Sequence, residues 1–248
     1  KMARLMQTVI EKKGWSSMPL TPINKPGGSG AEALVHLKNR AKSDPNHTIM
    51  VTLNSFYTTP MRQPGLGVDI STFTPVARMA EDTFLLWVHK DSGITDVNQF
   101  VRAAKSKGSD WIMAGTGKLQ EDQLLTDFLN AAYGLSMKYV PYKGGGKVAK
   151  QLAGKHANST VNNPSEQEGF YKAGTTVALA AFTDNRLEMF PNAPTFKELG
   201  KDYVYYMQRS IVGAPGMSYA AAAYYQRLFK KVFDSAEWQK YRKKKSLM

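Results

Sequence analysis

Three stretches place glycines, hydroxyls and amides where an apolar run gives way to a helical pattern. That arrangement suits gripping an anion rather than reacting with one. Gly115-Thr-Gly-Lys-Leu-Gln-Glu-Asp122 follows Trp111-Ile-Met-Ala, Tyr142-Lys-Gly-Gly-Gly-Lys147 follows the apolar residues at 139–141, and Asn162-Asn-Pro-Ser-Glu166 follows Ser159-Thr-Val. Glycine lets the backbone approach a ligand closely, and a beginning helix offers N–H groups that have no partner within the helix. A fourth polar turn, Asn54-Ser55, follows the strand pattern Thr48-Ile-Met-Val-Thr-Leu53. Small polar residues recurring after successive strands mark the carboxyl edge of a parallel sheet, where α/β proteins hold ligands.

Signals for catalysis are weak by comparison. The chain has no cysteine, which removes thiolate nucleophiles, disulfides and cysteine metal sites. His36, His47, His89 and His156 are far apart, with no HExxH and no pair at helical spacing, so no metal site is expected. Gly27-Gly-Ser-Gly-Ala31 fails the last position of a serine nucleophile elbow. Gly115-Thr-Gly-Lys-Leu-Gln120 has glutamine where a dinucleotide fingerprint needs its third glycine, and residues 143–147 lack the spacing and the trailing Ser or Thr of a P-loop. The expectation is binding without a cofactor and without turnover. An enzyme using the same residues on a small organic acid is the first alternative.

The net charge of +13 favours an anionic partner. Lysines and arginines are scattered along the chain apart from Lys240-Tyr-Arg-Lys-Lys-Lys245, and a lysine run ending a helix reads first as a solvated terminus. A basic nucleic-acid-binding module is therefore the weaker alternative. Tyr203, Tyr205 and Tyr206, or Tyr224 and Tyr225, read as core or cleft wall before they read as a base-stacking platform.

The positioning elements follow from pattern. A helix over the first residues ends near Gly14, residues 19–30 form a loop, and a helix spans 31–41. Residues 60–73 read as irregular. The runs 74–79 and 84–89 read as strands buried on both faces. From Thr95 onward helix and strand patterns alternate, with strands at 111–114, 137–141, 157–161 and 176–182, which predicts a parallel sheet. A short helix at 196–199, a strand at 204–212 and helices at 218–233 and 235–245 complete the chain. The chain opens directly on a helix, as though it begins inside a domain.

Four signatures in order, Asn24-Lys-Pro-Gly-Gly-Ser-Gly30, Phe73-Thr-Pro-Val-Ala77, Val140-Pro-Tyr-Lys-Gly-Gly145 with Leu152-Ala-Gly154, and Pro191-Asn-Ala-Pro-Thr-Phe-Lys-Glu-Leu-Gly200, resemble the solute receptors of tripartite tricarboxylate transporters, the Bug/TctC-type extracytoplasmic binding proteins of bacteria. The resemblance implies an α/β, two-lobed type II periplasmic-binding fold. Residues 1–80 with 206–248 would form one lobe and 81–205 the other, with a cleft between them. It also implies a soluble periplasmic receptor that delivers a small organic carboxylate to the membrane subunits of a transporter. No cofactor and no nucleic acid are expected, and the chain is expected to be a monomer. Matched residue by residue, the family's ligand turns fall on Asn54 and Ser55 in the first lobe. In the second they fall on Thr116, Gly117, Lys118, Gln120 and Asp122, and on Asn162 and Asn163. The Thr116 hydroxyl and Gly117 amide are expected to grip a carboxylate, with Glu121 and Asp122 capping the next helix or meeting a polar or amino group. The family's opening strand and its glycine-rich loop ending in Asp are absent, and Lys155-His-Ala-Asn158 departs from the Val-Asp usual after that glycine.

Overall fold

The computed structural model describes all 248 residues, which fold into two compact units, Lys1–Glu81 with Gln208–Met248, and Asp82–Met207. Helices α1 (Met2–Lys12), α2 (Ala31–Arg40) and α3 (Ser55–Arg62) belong to the first unit, as do strands β1 (Ile49–Thr52) and β2 (Thr74–Asp82) but for its last residue. The second unit runs β3 (Leu85–His89), α4 (Val97–Lys107), β4 (Ile112–Thr116), α5 (Glu121–Tyr133), β5 (Lys138–Tyr142), α6 (Gly145–Ala153), β6 (Ser159–Asn162), α7 (Pro164–Lys172) and β7 (Thr176–Ala181). β8 (Met207–Gly213), but for its first residue, and α8 (Tyr219–Asp234) and α9 (Ala236–Lys244) return the chain to the first unit.

In the first unit the sheet order is β1-β8-β2, and β1 runs antiparallel to β8 with Ile49 opposite Gly213. Alternation along β8 sends Ile211 and Val212 into different cores. Ile211 joins Met6 and Ile10 of α1, Leu228, Phe229 and Val232 of α8, and Trp238 of α9. Val212 joins Leu34 and Leu37 of α2 and Phe56 of α3, whose ring meets Phe73 edge-on at 5.5 Å. Serines begin the two C-terminal helices: Ser218 accepts from the Ala221 N–H and Ser235 from the Trp238 N–H.

In the second unit the order is β5-β4-β6-β3-β7. β4 is parallel to β5 and β6, whereas β3 runs antiparallel to both β6 and β7. The four strands expected to be parallel, at 111–114, 137–141, 157–161 and 176–182, are so as β4, β5, β6 and β7, and β3 alone runs against them. Every residue of β3 is buried, and Trp87 donates its indole N–H to the Asn162 carbonyl at 3.1 Å. Helices still cover the sheet: Val148 of α6 packs with Ala114, and Leu152 with Leu85 and Trp87. Asp96 accepts from the Gln99 N–H while the Gln99 side chain accepts from the Thr95 N–H, a reciprocal cap that starts α4.

Three local expectations are corrected. Residues 60–73 are not wholly irregular, because α3 continues through Pro60 to Arg62; burial of Phe56 and Thr59 holds a helix that proline alone would discourage. β2 is buried only in part, so it is not covered on both faces. Residues 196–199 form turns rather than a helix, tied to the sheet by the Phe196 N–H bond to the Ala181 carbonyl.

Candidate functional site

Because β3 runs against its neighbours, its first residue lies level with the last residues of β6 and β7: Leu85 pairs with both Asn162 and Ala181. The turns after β4, β5, β6 and β7 and the start of β3 thus share one edge of the second unit's sheet. This edge gathers Thr116, Gly117, Lys118, Gln120, Asp122, Asn162 and Asn163. Asn54 and Ser55 belong to the first unit.

The turn after β4 is braced from three directions. The Thr116 N–H donates to the Asp122 carboxylate at 2.7 Å. The Gly117 N–H, expected to grip a ligand, donates instead to the Tyr142 carbonyl at 3.0 Å, which fastens the turn to β5. The Tyr139 hydroxyl donates to the Gly117 carbonyl at 2.7 Å and lies 3.2 Å from that of Thr116. Gly115 permits this packing, since a Cβ there would sit 2.5 Å from the Tyr139 ring and hydroxyl and 2.7 Å from the Asp122 Cβ. Gly117 has φ +65°, and the Gln120 side chain folds over it.

Asp122 is only 5% exposed. Burial pushes its carboxyl up to about 7, the hydrogen bonds from Thr116 pull the other way, and the neighbouring Glu121 charge adds to the rise. Its expected role as a helix cap takes a different form. The N-cap of α5 is Gln120, which makes no side-chain cap bond, and Asp122 caps the last N–H of β4 instead. Near neutrality this carboxyl is divided between charged and neutral forms, so it opposes an anion less than an ordinary aspartate would. The first N–H groups of α5 have no carbonyl within the helix to bond and carry the positive end of its dipole. Burial also raises the Tyr139 hydroxyl, with Asp122, Glu121 and Asp127 adding to it, so this phenol remains a donor.

The turn after β6 is held as firmly. Asn162 is 1% exposed, and its Oδ1 accepts from the Gln167 amide at 3.1 Å. Asn163 precedes Pro164 at the start of α7 and donates its side-chain amide to the Thr83 carbonyl at 2.8 Å, tying that turn to the beginning of β3. A Cβ on Gly145 would fall 2.9 Å from the Glu166 Cγ and 3.2 Å from the Asn162 Nδ2, so glycine brings the start of α6 against the start of α7.

In the first unit Asn54 is the N-cap of α3 rather than part of an open turn, and its Oδ1 accepts from the Gln208 N–H at 2.9 Å. Gly30, with φ +97°, approaches so that a Cβ would lie 3.5 Å from the Ser55 hydroxyl, and Thr59 donates to the Ser29 carbonyl at 2.8 Å. The segment Gly27–Gly30 is thereby seated on the first turn of α3.

Tyr139 and Thr83 join this edge without having been expected there from the sequence. Tyr139 lies in the same β5 stretch as the triple glycine, and alternation from Tyr142 would have set it apart from the exposed Lys138. No pattern marks Thr83, whose place depends on the direction of β3. No group of three or more His, Asp or Glu side chains is placed to hold a metal ion.

Residues 5–245 match the family described as the tripartite tricarboxylate transporter family receptor, TctC. A UPF0065 protein of the gbd 5' region of Cupriavidus necator is 23% identical over 89% of this chain and 67% of its own length. BugT of Bordetella pertussis is 22% identical over 53% of this chain and 40% of its own length. Among solved structures, MatC of Rhodopseudomonas palustris, with bound malate, superposes with a TM-score of 0.84 at 19% identity, covering 99% of this chain and 83% of its own. Rpa4515 of R. palustris, with adipate, gives 0.82 at 22% identity over 98% and 82%. These likenesses show a shared periplasmic-binding fold. With a family match running from residue 5 to residue 245, the chain belongs to the tripartite tricarboxylate transporter receptor family.

Proposed function

We propose that the chain is an extracytoplasmic receptor that captures a small organic carboxylate, leaves it chemically unchanged and hands it to the membrane subunits of a tripartite transporter. The observation that carries this reading is the braced turn at 116–122, where Thr116 bonds, in the first turn of α5, a carboxyl that burial pushes up to about 7. A carboxylate there exchanges its water shell for fixed dipoles, and no nucleophile with an adjoining base stands ready to attack it. Malate and adipate are the ligands of MatC and Rpa4515, and dicarboxylates are the class assigned to this chain. The residues assigned to the ligand are Thr116, Lys118, Gln120, Asn162 and Asn163 in the second unit, and Asn54 and Ser55 in the first. Gly117 and Asp122 are assigned to shaping the turn.

No helix is long and apolar enough to cross a membrane. Thermal-shift screening over aliphatic di- and tricarboxylates, followed by calorimetry on each hit, tests the reading: a ligand that binds the native state raises its melting temperature with concentration. A hit that is converted to product would instead support an enzyme.

A further inference from the structure

The positive charge is not shared between the two units. The unit Lys1–Glu81 with Gln208–Met248 holds 19 Lys and Arg against 7 Asp and Glu, a net charge of +12, whereas Asp82–Met207 holds 14 against 13, a net of +1. Within the first unit the excess gathers on one helical layer. α1, α8 and α9 pack together through Met6, Ile10, Phe229, Val232 and Trp238, and with their cap residues they carry 12 Lys and Arg against Glu11, Asp234 and Glu237. Two of those three acids are already engaged by lysines of the same layer, Lys230 with Asp234 and Lys13 with Glu237. Lys12, Lys13, Lys240, Lys243 and Lys244 are exposed.

We infer that this three-helix layer docks the receptor on an anionic lipid surface. The argument is charge complementarity together with the kind of cation. Nine of the 12 are lysines. A lysine ammonium is a strongly hydrated point charge without the planar fork that arginine uses for paired recognition, and lysine is depleted at protein–protein interfaces where arginine is enriched. Many exposed lysines on one helical layer suit a diffuse attraction to headgroup phosphates, which accumulates with each cation near the surface and decays over a Debye length. The near-neutral second unit contributes little to that field. Such docking would confine a receptor to the layer of solvent next to its transporter. The inference rests on the proposed receptor function only for its purpose, since the charge distribution stands without it.

The test is flotation of the whole chain with vesicles of phosphatidylglycerol and phosphatidylcholine, beside vesicles of phosphatidylcholine alone, at low salt and at high salt. Binding is expected on the anionic vesicles only and is expected to fall away at high salt. The triple variant Lys240→Gln, Lys243→Gln, Lys244→Gln alters exposed side chains and is expected to lose affinity on the order of a hundredfold while keeping its melting temperature. Equal binding to both vesicle types, no binding at low salt, or binding unchanged in the triple variant would overturn the inference. Stronger retention on duplex DNA or on polyglutamate than on the anionic vesicles would overturn it too, in favour of a nucleic-acid or an acidic-protein partner. Carboxylate calorimetry on the same preparations separates the two proposals, because failure to bind any carboxylate would sink the receptor reading without touching the vesicle result.

Discussion

Replacing Asp122 with asparagine isolates the electrostatics of the 116–122 turn. In the folded chain the carboxyl is pushed up to about 7 from an ordinary value of 3.8, chiefly by burial. The folded state therefore holds this proton more tightly than the unfolded state does. By linkage the contribution is fully present below the unfolded value, declines as pH rises from about 4 to about 7, and levels off above that. A difference of about 3 pKa units at about 1.4 kcal/mol each sets the scale at about 4 kcal/mol between pH 4 and pH 8. Asparagine keeps a carbonyl that can accept from the Thr116 N–H but never ionises. Asp122→Asn should thus stand close to the parent at pH 4.5 and become the more stable protein by a few kcal/mol at pH 8. Urea unfolding of both proteins across this range gives the difference directly; subtraction cancels the groups that do not interact with Asp122, and the coupling to Glu121 remains as part of the difference. A difference independent of pH would refute the reasoning, as would a parent that gains on the variant with rising pH.

The remaining predictions concern the supports of the same turn. Gly115→Ala places a methyl against both Tyr139 and Asp122, an overpacking expected to cost about 1–3 kcal/mol and to lower carboxylate affinity; parallel unfolding and calorimetry check both effects. Tyr139→Phe removes the donor to the Gly117 carbonyl and should cost about 1–3 kcal/mol, read as a lowered urea midpoint with an unchanged m-value. Carboxylate affinity should fall as pH rises through 7, because an ionised Asp122 repels an anion at the turn, and Asp122→Asn should flatten that profile in isothermal titration.

Much of the fold is legible because each βα repeat of the second unit switches from a short apolar run to helical periodicity at a glycine or a polar cap. The direction of β3 is not legible: all five of its residues are buried, and a strand with no exposed face carries no mark of which way it runs. That reversal is also what brings Thr83 to the sheet edge of the candidate site. Pro60 hides α3, since the anchors that hold the helix, Phe56 against Phe73, come from tertiary packing. Within the candidate site, Thr116 and the asparagines stand out by type and place. The commitment of the Gly117 amide to Tyr142 follows from the register of β4 and β5, which no local pattern encodes. The charge pattern is hidden in another way. Basic residues are scattered in sequence, and the concentration of their excess in one unit appears only when the two ends of the chain join.

The proposed function requires a small organic carboxylate to bind at the turn headed by Thr116. Isothermal titration of the parent and of Thr116→Val with malate, adipate and the best hit of the thermal-shift screen tests it most directly. Saturable binding of at least one carboxylate to the parent is expected. Affinity should be about tenfold to a hundredfold weaker in the variant, the scale of one hydrogen bond to a charged group. The same affinity in both proteins, with the fold intact, would contradict it.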